Sequence, residues 1–179
     1  PGVTLSVIDS GLRIALKGSA VQTHLAGEVV MLMNDRFPYG YSILVETPFH
    51  KLPVGWKEKL EIQNKPELIG TNPSLTCPTG WDQPDQENND LSLYILYAHL
   101  DTLTKYSLGD QVACGDELGS IGDSGNALVP HLHVEMRYGS SSGIKGSMSH
   151  YSESADLQEM SNYCRWRVGG WFRVLDPMG

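Results

Sequence analysis

Two histidines stand two residues apart in the run Pro130-His131-Leu132-His133-Val134-Glu135. Positions i and i+2 of a strand project from one face, so an extended run here sets two imidazoles side by side. Such a pair repels when both rings are charged. It is comfortable when one ring binds a metal and the other stays neutral to move a proton. A polar strand face with two satisfied histidines competes with that explanation for any isolated His-x-His pair. A third histidine stands in Tyr97-Ala98-His99-Leu100. His24 sits at a turn and reads as a surface residue, while His50 and His150 lie in irregular sequence with no motif around them.

The elements that must position these rings read as strands. Residues 4–8 and 12–16 are short and β-rich, 27–33 is a longer apolar run closed by Asn34-Asp35, and 131–137 alternates strongly. Over 41–46 the period is two, with Ile43 and Val45 on one face and Leu44 and Glu46 on the other. Residues 91–100 form another strand rich in Leu, Ile and Tyr, and 109–119 reads as two short strands joined by a Gly-Asp turn. Between 47 and 90 the pattern breaks: Pro48, Pro53, Pro66, Pro73, Pro78 and Pro84 all fall there, around one or two helical turns at 56–62. An irregular stretch of that length is commonly functional, and it is expected to wall the groove together with the segment after Gly139. Residues 139–149 are rich in Gly and Ser and read as mobile. Residues 155–163 suit a short helix capped by Ser154, and 171–175 a closing strand. The expectation is an all-β fold, mainly antiparallel, in one domain over 1–179, with an inserted excursion at 47–90 and a C-terminal extension at 139–179.

Composition narrows the partners. The chain has 179 residues, 40% hydrophobic and 19% charged, and a formal net charge of -8. That sign argues against a nucleic-acid partner, whose phosphates need a basic surface. There is no apolar run long enough for a transmembrane segment, and Pro1-Gly2-Val3-Thr4 opens directly into strand-like sequence with no leader pattern. Three cysteines show no Cys-x-x-Cys spacing. Cys114, in strand-like sequence, reads as a buried free thiol, while Cys77 and Cys164 lie outside the β pattern and could pair if the protein is exported. Trp56, Trp81, Trp166 and Trp171 read as core or loop anchors before sugar-stacking platforms. Ser124 beside Gly125 lacks the spacing of a nucleophile elbow.

The ensemble resembles a known family. Gly109-Asp110-x-Val112, Gly115-Asp116-x-Leu118-Gly119 and Gly122-x-Ser124-Gly125 lead into Pro130-His131-Leu132-His133, with Tyr97-Ala98-His99-Leu100 upstream. This closely resembles the lysostaphin/LytM-type zinc endopeptidases, which cut peptide cross-bridges of bacterial cell walls. The likeness runs from Gly11 to Arg137 with a gap and is dense from Leu91 onward. It implies the LytM (duplicated-hybrid-motif) fold, with a groove across one sheet face floored by His99, His131 and His133. It also implies zinc held by a His and an Asp of a His-x-x-x-Asp motif and by His133, with His131 and His99 as the catalytic pair acting on a metal-activated water. Peptidoglycan, its cross-bridge peptides or a cell-envelope protein would be the partner, and the location extracellular or in the bacterial envelope.

The His-x-x-x-Asp motif is where the sequence departs. Gly18-Ser19-Ala20-Val21 and Gly27-Glu28-Val29-Val30 match the family's next two strands. Counting back puts Asp9 at the ligand His and Arg13 at the ligand Asp. Arg13 cannot ligate a cation, and Asp9 is a weak ligand beside His133 alone. A second register sets Thr4 at the Asp position, with the His just upstream of Pro1 and an insertion before Gly18. A site of His99, His131 and His133 would be a third arrangement, outside the family pattern. Two functions follow: a degenerate domain without zinc that binds peptidoglycan or protein, or an active zinc endopeptidase with an unusual ligand set.

Overall fold

The structure, a computed structural model, describes residues 3–5, 7–9, 12–14, 17–62, 75–81, 90–168 and 170–177. The chain runs β1 (Val3–Leu5), β2 (Val7–Asp9), β3 (Leu12–Ile14), β4 (Ala20–Gln22), β5 (Gly27–Arg36), β6 (Gly40–Pro48), α1 (Val54–Ile62), β7 (Leu91–Leu100), β8 (Gln111–Val112), β9 (Glu117–Ser120), β10 (Leu132–Ser140), α2 (Leu157–Arg167) and β11 (Phe172–Leu175). One seven-stranded sheet in the order β1-β10-β7-β6-β5-β8, with β11 also on β10, is antiparallel throughout its ladders. The pairs β2–β3 and β4–β9 form two small sheets. The fold is therefore all-β, as the strand pattern predicts.

Both faces of the large sheet are covered. In β7, Leu93, Ile95 and Tyr97 join one buried cluster with Ile43 and Val45, while Tyr94, Leu96 and Ala98 join another with Leu44, Trp166 and Phe172. Burial of each such side chain is worth about 1.5–3 kcal/mol, which fixes the register, since a slip by one residue would exchange the two sets. In β10, Leu132, Val134, Met136 and Tyr138 belong to the first cluster. The alternate residues His133, Glu135 and Arg137 therefore face the side covered by α2, opposite Ala98, Leu96 and Tyr94 of β7.

Helix α2 is built locally and then tied down. Asp156, not Ser154, is its N-cap, and with Glu159 it forms a reciprocal capping box. Asp156 wins because its carboxylate sits three residues before Glu159. Glu159 also pairs with Arg36 at the end of β5. A disulfide joins Cys164 to Cys77, and Asn162 donates to the carbonyls of Lys145 and Ser147.

Several expectations shift. Strand β5 runs past Asn34-Asp35 to Arg36, with Asp35 in a left-handed conformation that permits an irregularity within the hairpin. Cys114 is exposed, because Ala113-Cys114-Gly115-Asp116 is the turn between β8 and β9 rather than strand. Residues 139–149 are packed: Ile144 and Met148 are core residues, and Gly146 bridges to Met31.

Candidate active site

His99 reaches the site through a break in strand alternation. Ile43 pairs with Tyr97 and Tyr41 with Leu100, so one residue of β6, Ser42, faces two of β7, Ala98 and His99. This is a β-bulge, a device that re-aims a side chain. His99 takes the left-handed conformation, with φ 61°. Strict alternation would send its ring to the face of Tyr97. Instead its centroid lies 4.7 Å from that of His131 and 5.7 Å from that of His133. The bulge is pinned at both ends: His99 N–H donates to Tyr39 O, and Gly122 N–H donates to His99 O.

The loop between β9 and β10 holds two of the rings. His99 Nδ1 lies 2.8 Å from Ser124 O and His131 Nδ1 lies 2.7 Å from Val129 O. A carbonyl only accepts, so both rings donate from Nδ1 and carry a lone pair on Nε2 when neutral. Burial lowers the His99 pKa from its ordinary 6.5 to about 4, and the neighbouring imidazoles push the same way against the Ser124 carbonyl. His99 is therefore uncharged near neutral pH. Ser124 is scaffolding: its hydroxyl donates to Leu100 O and accepts from Tyr41 N–H. The β5–β6 turn rests directly on it, since a Cβ on Gly40 (φ +68°) would fall 2.3 Å from Ser124 Oγ.

His133 is held differently. Its Nε2 lies 3.0 Å from Glu135 Oε1. Glu135 is buried, and its desolvation is outweighed by the hydrogen bond from His133 and by Arg137 and Arg167, which hold the carboxyl well below the usual range. An ionised carboxylate accepts, so His133 donates from Nε2, and the neutral ring carries its lone pair on Nδ1. Tyr39 Oη and Arg167 Nη1 also donate to Glu135 Oε1, at 2.9 and 3.3 Å. Oε2 receives Arg137 Nε and Nη2 and Trp166 Nε1. Arg137 is itself buried, donates to Trp166 O and stacks on the Trp166 ring.

These groups line a cleft of about 490 Å³. Its floor is His99, His131, His133 and Glu135, and its sides come from Tyr39, Asn126, Tyr151, Tyr163 and Arg167. The segment after Gly139 supplies a wall, as expected. Among the described residues the other wall is the β5–β6 turn with Pro38 and Tyr39, not 47–90. Thr76 and Trp81 of that excursion instead accept hydrogen bonds from His150 and Arg165.

Three histidines thus meet over a bulged strand, behind a Gly-rich loop. Residues 86–145 match Peptidase family M23. The M23 segment takes in β7 to β10 and with them His99, His131 and His133; helix α2 lies outside it. Solved structures with a similar chain path include a protein from Pseudomonas aeruginosa described as a peptidase M23 (20% identity, TM-score 0.42, 75% of this chain and 36% of that one). A mutant catalytic domain of the prophage-encoded M23 protein EnpA from Enterococcus faecalis is another (17%, 0.43, 87% and 93%). The catalytic domain of the antimicrobial peptidase lysostaphin from Staphylococcus simulans is a third (18%, 0.41, 75% and 74%). The chain thus spans about a third of the length of the Pseudomonas protein. No curated protein matches the sequence significantly.

The matched segment brings the three histidines together. Strand β1 runs beside β10 with Thr4 as the Cα partner of His133. Asp9 and Arg13 stand on β2 and β3, whose strands pair with each other in a separate hairpin. The β2–β3 hairpin lies between β1 and the strand that begins at Ala20. Zinc in a hydrolytic site takes three protein ligands near 2.0–2.3 Å, roughly tetrahedral. Among the described residues no three His, Cys, Asp or Glu side chains form such a group. The described residues do not fit the metal.

Sequence reasoning missed Glu135, Arg137, Tyr39, Arg167 and Trp166 as parts of the site. The available signal was the row His133-Glu135-Arg137. An alternating polar row on a strand whose intervening residues are core must be neutralised by something packed over it.

Proposed function

We propose that this M23-family domain keeps a peptide-binding groove and has lost the zinc-dependent cleavage that the resemblance implies. Its ligand would be peptidoglycan, a cross-bridge peptide or a cell-envelope protein, met outside the cell or in the bacterial envelope. The observation that carries this reading is the pairing of Thr4 with His133. At the position where the family pattern calls for a carboxylate ligand, threonine offers a neutral hydroxyl, and activation of water needs a metal held firmly. The Cys77–Cys164 disulfide supports an oxidising location.

The alternative is an active zinc endopeptidase, with His133 as ligand and His99 and His131 catalytic. It is favoured by the two Nε2 lone pairs that His99 and His131 keep free of their carbonyl anchors. Elemental analysis of the purified protein, run beside co-sedimentation with cross-linked peptidoglycan and release of cleaved peptides, separates the two. The binding reading expects sedimentation without stoichiometric zinc and without cleavage. Stoichiometric zinc with cleavage that disappears in His133→Ala would overturn it. Thr4→Asp is expected to raise zinc affinity measurably.

A further inference from the structure

The Glu135 carboxylate is oversubscribed. Six N–H or O–H groups from Tyr39, His133, Arg137, Trp166 and Arg167 point at its two oxygens, whereas a carboxylate offers about four lone-pair sites. Arg137 meets Glu135 through two hydrogen bonds and is buried with it, so those two charges cancel. The contact from Arg167 is the longest of the six, at 3.3 Å, and its side chain is 39% exposed and lines the cleft. No other carboxylate is among the described residues lining the cleft. Arg167 also hydrogen-bonds Tyr39, so two of its five N–H donors are engaged and the rest remain at a cleft floored by histidines, on a chain whose formal net charge is -8. Beside it stand Tyr39, Tyr151 and Tyr163; Tyr151, 53% exposed, supplies flat apolar surface, and the other two are buried behind it.

We propose that Arg167 forms a carboxylate-recognition subsite, so that the groove takes a peptide by its free carboxylate and lays the adjoining residues against Tyr151. The inference rests on the peptide-binding reading above and names the chemical group that is bound. A guanidinium suits the task because its planar fork matches a carboxylate bidentately. The weak bond to Glu135 orients the fork without saturating it. The subsite comes from α2, outside the segment that matches family M23, so it would be a property of this chain's C-terminal region.

The test is titration calorimetry of the full chain with a peptidoglycan stem tetrapeptide, its C-terminus either free or amidated. The protein is expected to bind the free acid roughly tenfold or more tightly than the amide, as for a charge-assisted hydrogen bond. In Arg167→Gln the two affinities should converge on that of the amide. Equal affinity for acid and amide in the unaltered protein would overturn the subsite while leaving the groove's peptide binding intact, and this comparison needs no variant to fold. Preference for the acid that survives in Arg167→Gln would also overturn it. If neither peptide binds, the peptide-binding reading fails, and the subsite with it.

Discussion

His99 and His131 are held by main-chain carbonyls of one loop, whereas His133 is held by a buried carboxylate whose other partners reach across to α2. Carbonyl anchors are indifferent to side-chain identity: any sequence that closes the loop in the right shape provides them. The carboxylate anchor depends on named side chains from the β5–β6 turn, β10 and α2. The contrast teaches that two rings separated by one residue can have unlike dependence on the rest of the chain. His131 should tolerate changes far away, while His133 should register them.

The sharpest way to break this contrast is Glu135→Ala. It leaves Arg137 buried without its counter-ion and is expected to cost roughly 3–5 kcal/mol, measured by urea denaturation. In the fraction still folded, imidazole NMR signals of His133 should move and those of His131 should not; equal movement of both would dissolve the distinction. Next in size is removal of the disulfide by Cys77→Ser with Cys164→Ser, expected to cost roughly 3 kcal/mol and to disturb His133 through Trp166 ahead of His99. From the other side, Ser124→Ala removes the hydroxyl that joins Leu100 O to Tyr41 N–H. A loss of roughly 1–2 kcal/mol is expected, with the His99 signals shifted and those of His133 retained. Asp156→Ala should cost about 1 kcal/mol through the lost cap, read as a lower melting temperature with a slight change at His133.

The last prediction concerns protons. The folded pKa of His99 is about 4 against an ordinary 6.5, so between these values the unfolded chain binds the proton that the native chain refuses. Its contribution to stability is complete above about pH 6.5 and declines as pH falls toward 4. Glu135, held low by its donors, adds a loss in the same direction once the unfolded carboxyl begins to protonate. The nitrogen shifts of His99 should report a neutral ring with Nδ1–H through most of that range. A ring protonated near pH 6 would show that the bulge does not bury it.

Much of the sheet was legible from the sequence. Strands β6 and β10 announce themselves through alternation and β7 through a near-continuous apolar run, as a strand packed on both faces does, and the His-x-His spacing translates directly into a shared face. Helix α2 was visible within a few residues, though Ser154 and Asp156 both suit an N-cap and only the capping box decides between them. The path of His99 was not legible. A bulge is a mismatch between two strands, and neither β6 nor β7 alone contains it. The partner of His133 was likewise hidden: Glu135 stands in the quoted motif, but that it would be buried depends on Trp166 arriving from 31 residues downstream. The pairing of β1 with β10 was not legible either, because it joins residues 3–5 to residues 132–134 across most of the chain.

The bridge from Cys77 to Cys164, 87 residues apart in sequence, also has a topological meaning. Strands β7 to β10 and the first two turns of α2 lie between the two cysteines, so every histidine on the cleft floor belongs to a covalently closed ring. A single peptide-bond cut anywhere within that ring yields no separate fragment. The chain would migrate intact under non-reducing electrophoresis and split into two only after a thiol is added. A domain so closed can be nicked once by a protease and still carry its whole histidine floor on one connected molecule.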